Sequence, residues 1–234
     1  MEVSKTEMFE FSVQGTPHLV VRDFAGDVRL SAGQPGRVLV RVTRKARGRA
    51  SEGDLEQIRV EVAQRGETIS IEAELRRRLS LGGSLTADIE VTAPPLARVD
   101  LRLNAGNAEI DGFQGPVKAK VNAGNLDLRG GRLEERSELE GNAGNLTIAA
   151  ALAPHATLDV GLNAGNARLR LPRATAAHFD ARTHAGSIDV VGFPAVTVTR
   201  RYAQQTASGV LGETPQGTVT VRVDAGNITL DAAG

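Results

Sequence analysis

The sequence predicts an all-β protein, specifically a β-solenoid (parallel β-helix-like) of about 20-residue coils that follows an N-terminal β cap. Three observations predict it. The four-residue phrase Asn-Ala-Gly-Asn returns at a nearly constant spacing, apolar and polar residues alternate on both sides of it, and looser Gly- or Pro-containing turns separate the copies. A fixed period of this size is typical of stacked structural units, each too small to bury a core alone.

The phrase occurs in four complete copies and two altered ones. Successive starts lie 18, 20, 21, 21 and 40 residues apart, and the last interval is about two periods. The copies start at Asn104, Asn122, Asn142, Asn163, His184 and Asp224. An earlier partial copy, Phe24–Asp27, indicates that the repeat begins early and is interrupted.

The residues that flank the phrase alternate with a period of two, which predicts strands with one buried face. Leu101-Arg102-Leu103 precedes the first copy, and Ala108-Glu109-Ile110 follows it. Each repeat therefore consists of a strand, a tight corner, a second strand and a looser turn such as Gly112–Pro116.

The composition of the phrase suits a tight corner. Gly accepts a positive φ without steric penalty, and Asn bonds its side chain to nearby backbone. Stacked corners lie about 4.8 Å apart, so identical Asn side chains can bond one another in a ladder. The alternative, that the Asn rows bind a ligand, stays open. The predicted structural corner ladder comprises Asn104, Gly106, Asn107, Asn122, Gly124, Asn125, Asn142, Gly144, Asn145, Asn163, Gly165, Asn166, Gly186, Gly226 and Asn227.

Two regions are expected, an N-terminal β cap over residues 1–95 and the repeats over 96–234, continuous with each other and so compatible with one domain. Within the cap, Ile58–Val62 and Thr68–Ala73 predict a hairpin, and the polar segment before it predicts a helical turn after Ser51. Arg76-Arg77-Arg78 and Gly82-Gly83 predict a second loop. Thr197–Thr218 interrupts the period near the end.

These motifs resemble a bacterial family described as a putative adhesin with β-strand repeats. The resemblance rests on Ala25–Leu30, on Ile89–Pro94 and on the serial Gly-(Asn/Ser)-apolar-x-apolar corners, and it covers about residues 8–232. It implies a solenoid-like β fold without established enzymatic activity. Many members of that family look exported or membrane-linked, and this chain shows neither feature.

Composition narrows the possible partners. Twenty-eight basic residues balance 28 acidic ones, which argues against nucleic-acid binding. The absence of cysteine rules out disulfides, thiol catalysis and Cys-ligated zinc. No apolar run is long enough to span a membrane, and Met1–Glu7 begins no signal stretch, so we expect a cytoplasmic protein. Export by a non-classical route is left open.

The sequence offers no catalytic, cofactor-binding or metal-binding residues that we would assign. None of the four histidines pairs with another at metal-ligand spacing. Glu109 and Asp127 would be neighbours on an outer face, where two carboxylates could act as an acid/base pair or hold a cation. A solvated face is the simpler interpretation.

The function that follows is a non-enzymatic structural or protein-interaction scaffold, with a protein partner or self-association as the expected binding mode. An adhesin-like module for polysaccharide or cell envelope is the alternative. A solenoid polysaccharide lyase or hydrolase is a third hypothesis, which would require Glu109 or Asp127. The sequence leaves a small-molecule ligand unknown.

Overall fold

The structure, a computed structural model, describes residues 2–48, 51–76 and 83–233, and it confirms the all-β prediction. Its one helical element there is the short 3-10 helix Glu52–Gln57, in the segment where the sequence predicts a turn. Arg77, Arg78 and Gly82 of the predicted second loop lie outside the described residues. The strands are β1 Glu2–Ser12, β2 His18–Asp23, β3 Val28–Ala32, β4 Arg37–Gly48, β5 Ile58–Arg65, β6 Thr68–Leu75, β7 Gly83–Ala93, β8 Arg98–Ala105, β9 Ala108–Asp111, β10 Gln114–Gly115, β11 Val117–Ala123, β12 Leu126–Leu133, β13 Arg136–Leu152, β14 Thr157–Pro172, β15 Ala177–Ala185, β16 Ile188–Val191, β17 Val196–Arg201, β18 Gln204–Leu211, β19 Gly217–Ala225 and β20 Ile228–Ala233.

Within the described residues, seven units share one architecture, in which a strand leads into an Ala-Gly bend and a second strand leaves it. Five units use two strands each, whereas β13 and β14 run through their bends without a break. Neighbouring units pair in parallel and in register, so that Ala105 lies opposite Ala123 and Ala143 lies opposite Ala164. Like residues therefore lie beside like residues from one unit to the next.

Strands before the bends form one side of the protein, here called face A, and strands after the bends form the other, face B. Face A runs, in spatial order, through β5, β6, β2, β8, β11, the start of β13, the start of β14, β19, β15, β18 and β17. Face B runs through β1, β4, β7, β3, β9, β12, the end of β13, the end of β14, β20 and β16. The core between them consists of alternate strand residues, mostly Val, Leu, Ile and Ala.

The spatial order of the units departs from chain order at both ends. The last unit, β19–β20, lies between β14 and the unit β15–β16. At the other end, β2–β3 lies between β6 and β7 on one side and β8–β9 on the other. The same parallel pairing thus continues across residue 95.

The two ends of the stack have different constructions. At one, here called the closed end, antiparallel strands β5, β4 and β1 extend the faces, and the 3-10 helix covers the core with the buried Leu55. At the other, the open end, the antiparallel hairpin β17–β18 extends face A beyond β15. Face B ends there with β16, beyond which no described strand pairs.

Candidate functional site

The Ala-Gly bend is the most regular feature of the molecule. Every bend glycine has a positive φ, from 131° at Gly106 to 153° at Gly186. A Cβ on Gly144 would overlap the carbonyl oxygen of Gly124, well inside 3.0 Å, and the same holds for each bend against its neighbour. Each bend therefore requires glycine for two reasons, the positive φ of its backbone and the close approach of the neighbouring strand.

The asparagine that follows each bend glycine forms a continuous row of side-chain hydrogen bonds. The Asn145 Nδ2 donates to the Asn125 Oδ1 at 3.0 Å, and the Asn145 backbone N–H donates to the same oxygen at 3.1 Å. This pattern repeats from unit to unit through Asn107, Asn125, Asn145, Asn166 and Asn227. Each Oδ1 thus accepts two hydrogen bonds and each amide donates in the same direction along the stack.

The asparagine that precedes each bend alanine forms a second, shorter row. Asn163 Nδ2 donates to Asn142 Oδ1, Asn142 Nδ2 to Asn122 Oδ1, and Asn122 Nδ2 to Asn104 Oδ1, at 2.9–3.1 Å. Only side chains take part in these bonds. The structure thus brings together all the asparagines of the sequence-predicted ladder, and the glycines lie between the two rows.

Side chains other than asparagine lie at the ends of both rows. The longer row ends on the carboxylate of Asp27, whose own N–H donates to Asp88. Lys45 forms an ion pair with Asp88. At its other end, Ser187 donates from both N–H and Oγ to Asn227 Oδ1. Beyond the shorter row, His184 Nδ1 lies 3.1 Å from Asp224 Oδ1. The altered copies that start at Asp224 and His184 are therefore the last two bends toward the open end.

One carboxyl group beside a bend is buried without full compensation. Asp23 is 4 % exposed, and it occupies the core-facing position that Leu103 fills in the next unit. Its Oδ1 accepts from the Ala25 N–H, whereas its Oδ2 has no partner. Burial, with the nearby carboxylates of Asp88 and Asp27, raises the pKa of Asp23 to about 7. Asp23 is absent from the sequence-based candidates, although an acid at a position that Leu or Val holds in four other units was a visible signal.

The carboxylates considered for acid/base chemistry are neutralised by arginines. Glu109 and Asp127 lie opposite each other on face B, as the sequence predicts. Glu109 accepts from the Arg29 Nε at 2.8 Å, and Arg129 contacts both Glu109 and Asp127. The hydrogen bond from Arg29 lowers the pKa of Glu109. A glutamate with a lowered pKa is a poor proton donor at neutral pH, so Glu109 does not fit the role of a general acid.

Other candidate chemistry is sparse in the part of the chain that the structure describes. No group of three or more His, Asp and Glu side chains lies close enough to hold a metal ion there. Within the same residues, no helix has the length and apolar character needed to cross a membrane. Face A carries ion pairs between units, such as Lys118–Glu138 and Lys120–Glu140.

The fold and the Ala-Gly bend together define a class of all-β proteins. In this class, two-strand units stack in parallel and in register, and every unit turns at the same bend. No protein-family model matches the sequence, and no curated protein matches it either. The chain is similar in fold to a crystal structure of a putative cell adhesion protein from Clostridium sporogenes, with 13% identity over 99% of this chain and 100% of that chain and a TM-score of 0.50.

Two further solved structures align over nearly the whole chain at lower scores. A putative adhesin from Bacteroides fragilis has 14% identity over 97% of both chains, with a TM-score of 0.39. A putative lipid binding protein from Parabacteroides distasonis has 13% identity over 96% of both chains, with a TM-score of 0.35. The first similarity confirms, at the level of fold, the resemblance to the bacterial putative-adhesin family that the sequence motifs indicate.

Proposed function

We propose that the chain is a β-solenoid that serves as a non-enzymatic scaffold and presents its two strand faces to a protein partner. The observation that carries this proposal is which groups the polar side chains bond to. The asparagines of the bends bond to their equivalents in neighbouring units, and many face carboxylates bond to basic groups of adjacent strands. Side chains used in this way stabilise the stack and do not surround a substrate.

Parallel in-register pairing supports the solenoid description. Seven units with one bend geometry, each paired to the next on both sides of the bend, are what a two-faced solenoid requires. The pairing of Glu109 and Asp127 with arginines supports a role without catalysis, as does the non-enzymatic name of the Clostridium sporogenes protein.

The test is capture of a partner by the immobilised full chain, identification of that partner by mass spectrometry, and titration with the purified partner. Charge reversal on face A, Lys118→Glu with Lys120→Glu, and on face B, Arg129→Glu, would map the face that binds. We expect one face variant to weaken binding at least about tenfold, or by about 1.4 kcal/mol. Activity on acidic polysaccharides that Glu109→Ala or Asp127→Ala abolishes would contradict the proposal.

An adhesin-like module that binds polysaccharide or cell envelope is the second candidate, favoured by the name of the Clostridium sporogenes structure. Fractionation of the source cells separates the two. Our proposal of a cytoplasmic scaffold expects the protein in the cytoplasmic fraction, whereas an adhesin would be found with the envelope. Hits on a glycan array would support the adhesin and a blank array would remove it.

A further inference from the structure

Two arginines of face A, here called the arginine pair, lie side by side on neighbouring strands. Arg182 of β15 is directly opposite Arg222 of β19 in the parallel pairing of these strands, and both residues are exposed. Adjacent strands are about 4.8 Å apart, and like charges directly opposite each other destabilise a sheet. An anion held between the two guanidinium groups would therefore be stabilising.

Paired carboxylates in the same arrangement are neutralised by the chain itself. Glu138 and Asp159 lie opposite each other on β13 and β14, and Arg136 Nη2 contacts them at 3.1 and 3.0 Å. Arginine bridges the opposed carboxylates of Glu109 and Asp127 in the same way. Opposed acids on these faces thus share a counterion from the same chain.

The arginine pair has no such counterion among the residues that the structure describes. Neither Arg182 nor Arg222 takes part in an ion pair there. The next residues across the sheet are uncharged, since Gly161 lies opposite Arg222 and Thr206 lies opposite Arg182. An added Cβ on Gly161 would meet no atom within 4 Å, so the position beside Arg222 is open.

The acidic residues of the two strands do not neutralise the pair either. Strand β15 carries Asp180 and strand β19 carries Asp224, each two residues from the arginine of its own strand. Asp224 Oδ1 lies 3.1 Å from His184 Nδ1. Within the described ranges, neither carboxylate approaches an arginine closely enough to form an ion pair. The charge of the pair is therefore available to an external anion.

A neutral side chain orients one of the two guanidinium groups. With its amide oxygen toward β15, Gln204 of β18 accepts a hydrogen bond from Arg182 Nη2 at 2.7 Å. Because the amide is uncharged, this bond restrains the guanidinium and leaves its positive charge uncompensated. The arginine pair is thus partly positioned before any ligand binds.

A second opposed pair of arginines on face A has different surroundings. Arg22 lies opposite Arg102, but Glu72 lies opposite Arg22 on its other side. Beyond Arg102, Lys120 is already paired with Glu140. Acidic side chains thus occur at both ends of that row. The comparison singles out the arginine pair of β15 and β19 as the one flanked by uncharged residues.

We infer that the arginine pair binds a carboxylate group of an acidic segment of the partner protein. Two guanidinium groups on adjacent strands can both donate to one carboxylate, whose planar geometry matches the fork of arginine. Charge complementarity selects such a segment. The flanking Gly161 and Thr206 offer no aromatic ring on which a sugar could stack. This inference rests on the proposed scaffold function and deepens it by naming the chemistry of the partner.

The experiment is NMR titration of the isotope-labelled full chain with a hexaglutamate peptide at low salt, with affinities measured by fluorescence anisotropy of the labelled peptide. The side-chain Nε–H signals of Arg182 and Arg222 should shift most. Arg182→Gln and Arg222→Gln should each weaken binding at least about tenfold. Arg182→Lys should bind with intermediate affinity, because lysine keeps the charge and lacks the planar fork.

Two further variants separate this site from general attraction of acidic peptides. Arg168→Gln removes an exposed arginine of face B that lies between two threonines, and it should bind the peptide like the unmodified chain. Gly161→Glu places a carboxylate beside Arg222, at the position that Glu140 holds in the neighbouring unit. This internal acid should weaken peptide binding about tenfold, and an undiminished melting temperature would show that the variant folds.

Several results would overturn the inference. One is a peptide that shifts neither arginine signal, and another is unchanged affinity in both Arg182→Gln and Arg222→Gln. Binding of oligogalacturonate at the pair without binding of hexaglutamate would assign the site to an acidic sugar. Sodium sulfate that competes mole for mole with the peptide would assign it to free inorganic anions.

Failure here is distinguishable from failure of the scaffold function. A captured and purified partner that binds Arg182→Gln as tightly as the unmodified chain would leave the scaffold standing without this site. Binding of hexaglutamate at the arginine pair, in a chain that captures no partner, would leave the site standing and remove the scaffold.

Discussion

The two margins of the strand units, the Ala-Gly bends and the turns opposite them, follow different rules. The bends share one composition and one glycine conformation. The opposite turns range from two residues between β12 and β13 to five between β9 and β11, where β10 lies, and they include non-glycine residues with positive φ such as Glu135 and His155. One margin thus repeats the same bend in every unit, whereas the other margin varies in length and leads into longer excursions.

The strongest test of that comparison is Gly144→Ala. A Cβ there meets the Gly124 carbonyl in a backbone conformation that alanine rarely adopts, so either the bend or the neighbouring unit must move. We expect a loss of about 4 kcal/mol or more in the free energy of unfolding, measured by urea denaturation. Gly161→Ala, where an added Cβ would meet no atom within 4 Å, should be neutral or slightly stabilising. Equal effects at the two glycines would contradict the account.

The next effect concerns the buried carboxyl beside the first bend. Because the pKa of Asp23 is about 7 in the folded chain and 3.8 in the reference state, the folded state binds more protons between those values. Stability should therefore be fully present below about pH 4 and fall as the pH rises to about 7, by about 4 kcal/mol in all. Asp23→Leu should remove this pH dependence and stabilise the chain most at pH 8.

Urea denaturation at several pH values checks this, and Thr183→Val is the matched control. Thr183 is also a buried polar residue beside a bend, but it is uncharged and its hydroxyl donates to the Gly226 carbonyl. Its replacement should alter stability by a similar amount at every pH. If the pH slope of the unmodified chain persisted in Asp23→Leu, the carboxyl would not be its source.

A smaller effect is expected within the asparagine rows. Asn145→Ala removes one bond to Asn125 and deprives Asn166 of its acceptor, so we expect a cost of about 1–2 kcal/mol. Asn104→Ala, at the end of the shorter row, removes a single accepted bond and should cost about 0.5–1 kcal/mol. Thermal melting of both variants measures the difference. A larger cost at Asn104 would mean that the rows do not stabilise the stack as described.

The smallest effect should come from the faces. Lys120 and Glu140 form an exposed pair at 2.8 Å, and such pairs contribute less than about 1 kcal/mol. Lys120→Ala should therefore change the melting temperature little, and added salt should reduce the difference further. If Lys120→Ala cost as much stability as Asn145→Ala, the ion pairs of the faces would contribute as much to the register of the units as the bend margin does.

Local features of the chain are predictable because their causes are local. Alternation predicts the strands beside each bend, Gly66 lies in the turn of the β5–β6 hairpin, and Ser51 precedes a helical turn. The adjacency of Glu109 and Asp127 follows from the period alone.

The order of the units could not be predicted, since every bend offers the same contacts. Nothing near Gly226 shows that its neighbours are Gly165 and Gly186, because any bend glycine would fit beside any other. That order also determines which residues pair with Glu109 and why the buried Asp23 Oδ2 has no partner. Neither feature could therefore be predicted from the sequence.

The direction of the asparagine row has one more consequence. Each of the five units with an asparagine after its bend glycine presents a side-chain amide hydrogen on one flank and an amide oxygen on the other. Asn227 joins Asn166 across 61 positions of chain with the geometry that Asn125 uses to join Asn107 across 18. A segment could be duplicated, deleted or moved without redesign of its junctions, which makes this architecture easy to lengthen by gene duplication.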